Sequence, residues 1–83
     1  MTRARGDKIS GYVDGTPYMA VAGELYRRGE DMQIMATHTR LDPSTIRRLC
    51  FGEAPRIWKG TADAARRLVE LLPEDERDRW VLS

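Results

Sequence analysis

The stretch "LDPSTIRRLCFG", Leu41 to Gly52, decides the fold of this chain. Asp42 followed by Pro43 marks a helix start. A short acidic side chain accepts a hydrogen bond from an orphan backbone N–H, and proline at the first helical position gives up no bond there. Gly52 marks a stop, because glycine takes the left-handed turn that ends many helices. Between them Ile46, Leu49 and Cys50 recur at helical spacing and should face inward. Ser44, Thr45, Arg47 and Arg48 lie wholly or partly on the other side. A two-turn helix does not stand by itself in water, so its neighbours must hold it.

Upstream, "DMQIMATHTR" (31–40) predicts a helix capped by Asp31 and running to about His38, with Met32, Met35 and Ala36 buried. Ala36 is small where two helices must pass closely, Arg40 sits at the turn, and Leu41 plugs the gap between the helices. That is the pattern of a helix-turn-helix. Before it, "TPYMAVAGELYRRG" (16–29) predicts a helix capped by Thr16, with Pro17 first and Gly29 as the stop. Its apolar face carries Tyr18, Val21, Ala22, Leu25 and Tyr26. Downstream, "EAPRIWK" (53–59) reads as a connecting loop. "GTADAARRLVELLP" (60–73) reads as a helix capped by Thr61 and ended by Pro73, with a stripe of Ala62, Ala65, Leu68, Val69 and Leu72. "EDERDRWVLS" (74–83) adds one more helical turn and an apolar patch of Trp80, Val81 and Leu82. The first fifteen residues read as irregular, with a short extended piece at Ile9 to Val13.

The expected fold class is all-α: a compact bundle of four to five short helices containing a helix-turn-helix. It divides into an N-terminal arm (1–15), the helix-turn-helix domain (16–72) and a C-terminal tail or short helix (73–83). With 83 residues, 41% of them hydrophobic and 33% charged, the chain can bury one modest core and no second one. Cys50 is its single cysteine, which rules out an intrachain disulfide and a cysteine-rich metal site. No apolar run approaches signal-peptide or membrane-spanning length, so the expectation is a soluble, intracellular protein. The net charge is only +1, but unevenly spread. Residues 1–60 hold ten Lys and Arg against seven acids, a net +3, and residues 61–83 hold four against six, a net −2.

From Val13 to Leu72 the chain resembles the small helix-turn-helix proteins of actinobacteria and their bacteriophages, relatives of the phage repressor and Cro-like group. The matching pieces are "VDGTP", Leu25 with Gly29, Ala36, "LDPSTIRRLCFG" and "RIWKGTADAARRLVEL". The segment "TIRRLCFG" is the most specific of these. Two departures stand out. The family usually has glycine where this chain has Arg40, a replacement worth on the order of 1 kcal/mol if the residue is left-handed. The near-neutral charge implies weak nonspecific DNA binding, because that affinity comes mainly from phosphate neutralisation.

The resemblance implies a sequence-specific, double-stranded DNA-binding transcriptional regulator, phage-encoded, of repressor, Cro-like or excision type. The third helix would enter the major groove with Pro43, Ser44, Thr45, Arg47 and Arg48 toward bases and phosphates. Arg40, Arg56, Trp58 and Lys59 would hold the flanking backbone. Each assignment has a plainer alternative: Arg47 and Arg48 as solvated surface, Trp58 as a core residue. Arg3, Arg5 and Lys8 suit either a minor-groove arm or a frayed terminus. A homodimer through the fourth helix and the tail is expected, unless Trp80 folds back on its own core. No phosphate loop, nucleophile–base pair or set of metal ligands around His38 is visible, so neither an enzyme nor a cofactor is expected. The competing class is a small phage-type module that binds and modulates a host protein.

Overall fold

A computed structural model describes residues 11–80. Its elements in chain order are β1 (Tyr12–Asp14), α1 (Thr16–Arg27), α2 (Met32–Thr39), α3 (Pro43–Cys50), β2 (Arg56–Trp58) and α4 (Lys59–Ala65), followed by two 3₁₀ segments, Arg66–Leu71 and Glu74–Arg79. The fold is a small all-α bundle carrying one two-stranded sheet. Ile9, Val81 and Leu82, and the arm residues Arg3, Arg5 and Lys8, lie outside the described residues.

The core forms where the apolar stripes of the helices meet. Tyr18, Val21, Ala22 and Leu25 of α1, Met35 and Ala36 of α2, and Ile46 and Leu49 of α3 are all buried. Ile57, Ala62, Ala65, Leu68 and Leu72 close the other side. Tyr26, expected on the apolar face of α1, is instead 42% exposed and meets Phe51 edge-on at 5.2 Å. Among the described residues, every buried side-chain nitrogen and oxygen has a hydrogen-bond partner.

Local chemistry explains the helix ends, with two corrections. Asp31 accepts from the Gln33 amide and Asp42 from the Ser44 amide, so both caps expected of them form. Thr16 is not the cap of α1. The first helical hydrogen bond runs from the Met19 amide to the Gly15 carbonyl, and the side-chain acceptor is Asp14, 3.0 Å from the Thr16 amide. Only glycine fits at that cap position, because a Cβ there would lie 2.0 Å from the Ala54 carbonyl oxygen. Thr61 is not a cap either. The chain passes straight from β2 into α4 at Lys59, whose amide is tied to the Gly11 carbonyl at 2.8 Å.

The segment expected as a loop, 53–59, contains strand β2. It pairs antiparallel with β1 in the register Tyr12↔Trp58, Val13↔Ile57, Asp14↔Arg56. Val13 and Ile57 turn toward the core, and the other four side chains form an outer face. The single helix expected from Thr61 to Leu72 is α-helical only to Ala65 and then tightens to 3₁₀. Ala62, Ala65, Leu68 and Leu71 recur every third residue, the spacing that places apolar side chains along one edge of a 3₁₀ helix. Arg77 donates to the Glu70 and Leu72 carbonyls at 2.9 and 3.1 Å, satisfying acceptors that the end of this segment leaves free. Trp80 is half-buried and packs against the core of its own chain.

Candidate nucleic-acid interface

The turn between α2 and α3 is built by three interactions. Thr39, fully buried, donates its hydroxyl to the Met35 carbonyl at 2.8 Å and accepts from the Leu41 amide at 3.3 Å. Arg40 is left-handed, with φ 64° and ψ 26°, and it is the one non-glycine residue with positive φ among the described residues. The Leu41 amide also reaches back to the Ala36 carbonyl at 3.2 Å, closing the end of α2 in the manner of a Schellman turn. Leu41 itself packs against the core. The turn thus spans Arg40 to Asp42, and α3 leaves it with a defined heading.

Ile46 and Leu49 anchor α3, leaving Pro43, Ser44, Arg47 and Arg48 exposed. Cys50 is half-buried, its thiol 3.6 Å from the Ala22 carbonyl, and burial pushes its pKa up. The C-terminus closes through Gly52 at φ 73°, with the Glu53 amide bonded to the Arg48 carbonyl at 2.8 Å. The N-terminus of α3 is not open to a phosphate. The Asp42 carboxylate occupies it, accepting from both the amide and the hydroxyl of Ser44 at 3.1 and 3.2 Å. An anion arriving there would meet a negative charge.

The sheet presents a second feature beside α3. Tyr12 and Trp58 stack with ring centroids 4.5 Å apart and planes inclined by 31°. Arg56 lies across Tyr12, its guanidinium carbon 5.7 Å from the ring centroid. Trp58 is 53% exposed, so it is no core residue. A cleft of about 290 Å³ joins this face to α3 and is lined by Thr45, Arg48, Arg56, Trp58, Tyr12 and Thr61. Trp58 also borders a wider, shallower groove shared with Arg40, Asp63 and Arg67. On the other flank of α3, Arg47 stands 5.8 Å from the ring centre of Phe51.

The positive charges fall into two populations. Arg27 and Arg28 both pair with Glu24, at 2.6 and 2.8 Å, and Arg28 also pairs with Glu76 at 2.7 Å. Hydrogen bonds from Arg28 and then Arg27 hold Glu24 below the usual carboxylate range, and Arg28 does the same to Glu76. Among the described residues, Arg40, Arg47, Arg48, Arg56, Lys59 and Arg67 have no carboxylate within ion-pair distance. By the same measure Arg66, Arg77 and Arg79 are also unpaired among the described residues, so unpaired cations lie on the turn, the outer side of α3, the sheet, Lys59 of α4 and both 3₁₀ segments.

Of the residues singled out from sequence, Thr45, Arg48, Arg56 and Trp58 share one cleft, and Arg40 joins Trp58 in the neighbouring groove. Ser44 and Arg47 lie on the bare ridge of α3, whereas Lys59 is exposed but lines neither cleft. Tyr12, Thr61, Arg67 and Phe51 were not anticipated there. His38 contacts Glu70, with Nε2 2.8 Å from Oε1, and links α2 to the first 3₁₀ segment. Among the described residues, no cluster of three His, Cys, Asp or Glu side chains could hold a metal ion, and no helix is long and apolar enough to cross a membrane. No family model matches the chain, and neither does any curated protein or solved structure.

Proposed function

We propose that this chain binds double-stranded DNA through the outer side of α3 and acts as a transcriptional regulator of the repressor, Cro-like or excision type found in phages of actinobacteria. The observation that carries the reading is the partition of charge. Arginines at the end of α1 are paired with glutamates, while those on α3 and β2 are exposed and have no carboxylate partner among the described residues. Burying Ile46 and Leu49 leaves α3 with a clear outer face, and an α-helix of this kind fits the major groove. Arginine there can bond the O6 and N7 of guanine, and arginines flanking it neutralise phosphates.

The reading is tested by fluorescence anisotropy with a duplex drawn from upstream of the chain's own gene and with random-sequence duplexes, over a salt series. Wild type should bind the upstream duplex more tightly than the random ones, with a steep salt dependence that Arg47→Ala with Arg48→Ala flattens. Absence of binding at ~50 mM salt, where phosphate contacts are strong, would sink the reading. It would favour the second one, a module for a protein partner, whose support is the exposed apolar set Tyr26, Ile34 and Phe51. A homodimer remains part of the proposal. Trp80 packs on its own chain, so the contact would have to use other surface of α4 and the tail.

A further inference from the structure

The cleft between α3 and the sheet combines features that no single element supplies. Arg48 comes from α3 and Arg56 from β2, and neither guanidinium has a carboxylate partner among the described residues. Thr45 and Thr61 bring hydroxyl groups to the same walls. Asp14 is the cross-strand neighbour of Arg56, yet its carboxylate is engaged by the Thr16 amide, and Arg56 leans over Tyr12 instead. The remaining wall is the Tyr12–Trp58 stack, flat and open to solvent. At about 290 Å³ the cleft lies at the lower end of the range for small-ligand sites.

Resting on the DNA-binding reading above, we infer that this cleft seats one backbone phosphate of the duplex between Arg48 and Arg56, with the adjoining deoxyribose against the Tyr12–Trp58 stack. Two guanidinium forks and two hydroxyls form a donor-rich lining suited to phosphate oxygens. Aromatic faces left exposed beside them suit the apolar side of a sugar. The seat divides the labour along α3. Thr45 and Arg48 face the cleft and fix the register of the helix, because phosphate contacts position without carrying sequence information. Ser44 and Arg47 lie on the ridge away from it and are left to read base edges.

The test measures binding of the full chain to several labelled random-sequence duplexes and their separated single strands as a function of salt, for wild type, Arg56→Ala, Arg56→Lys, Trp58→Ala and Arg79→Ala. Loss of one phosphate contact should reduce the slope of log K against log salt by about 0.9. Arg56→Ala should show that reduction, with the same fold-loss of affinity on every duplex. Arg56→Lys should restore most of the slope, and Arg79→Ala, which removes a charge far along the chain, should leave it unchanged. Trp58→Ala should weaken binding without changing the slope. If wild type binds and Arg56→Ala keeps the wild-type slope, or Arg79→Ala reduces it equally, the phosphate seat is overturned while DNA binding stands. If the Arg56 effect occurs only on single strands, the stack holds bases instead and the inference also fails. No duplex binding by wild type would remove both readings together.

Discussion

Of the three Arg-Arg pairs in the chain, two come shortly before a glycine in a left-handed turn at the end of a helix, and their surroundings differ completely. Arg27 and Arg28 close α1, with Gly29 at φ 92°; Arg47 and Arg48 lie in the last turn of α3, with Gly52 at φ 73°. The first pair is consumed internally. Glu24, one helical turn earlier, takes both guanidiniums, and Arg28 reaches Glu76 to fasten the C-terminal segment. The second pair has no acid one turn earlier: positions 43 and 44 are Pro and Ser, and Asp42 is engaged as the helix cap. Both pairs favour the negative helix end, but only the second keeps its charge available. The same dipeptide is therefore a structural fastener in one place and a candidate binding element in the other.

The most drastic way to break this contrast is at Gly15. Its amide holds the Pro55 carbonyl at 2.8 Å, and a methyl group there would collide with the Ala54 carbonyl oxygen. Gly15→Ala should destabilise by about 3 kcal/mol or more, as overpacking against backbone does. It should also separate β1 from β2, so that DNA affinity falls even in the population that stays folded. Chemical denaturation with parallel anisotropy would check this, and wild-type stability in the variant would contradict the packing described for the sheet.

Arg40→Gly sharpens the contrast by moving two quantities in opposite directions. Removing a side chain from a left-handed position should stabilise by about 1 kcal/mol. The lost cation beside the groove should lower duplex affinity several-fold. A variant that is more stable and binds equally well would place Arg40 outside the interface.

The smallest effect concerns the paired side. Glu24 and Glu76 have pKa values depressed by their arginines in the folded state. Their contribution to stability is therefore present above the unfolded carboxyl pKa of ~4.3. It is lost as pH falls through the lower folded values. Melting curves of wild type and Arg28→Ala should accordingly differ at neutral pH and converge at low pH. A gap that persists at low pH would mean that Arg28 acts through packing rather than charge.

The α2–turn–α3 unit was legible in the sequence because its determinants are local. Asp31 and Asp42 cap where they stand, Ile46 and Leu49 keep helical period, and the left-handed Arg40 falls at the position the resemblance marks for glycine. The sheet was barely legible: the extended piece expected at Ile9 to Val13 overlaps β1 at Tyr12 and Val13, but β2 falls in the segment expected as a loop. Each strand has three residues, too few for alternation to register, and Tyr12 and Trp58 meet across 46 positions of chain. The aromatic stack and its cleft were hidden with it. Thr16 misled because a Thr-Pro start looks complete by itself, whereas the real constraint is contact between Gly15 and Ala54. The 3₁₀ segment after Ala65 was masked because Ala62, Ala65, Val69 and Leu72 satisfy a helical period while Ala62, Ala65, Leu68 and Leu71 satisfy a three-residue one. The distinction between the arginine pairs was half visible. Glu24 lies three and four residues before Arg27 and Arg28, the ordinary spacing for helical ion pairs, but Glu76 is distant.

The most direct measurement compares the two pairs at equal charge. Arg27→Gln with Arg28→Gln, and Arg47→Gln with Arg48→Gln, each remove two positive charges while keeping side-chain stems, and each is titrated with the same duplex at ~100 mM salt. The account predicts near wild-type affinity for the first variant and a loss on the order of 100-fold for the second. Equal losses in both would mean that binding follows net charge rather than α3, and would contradict the account.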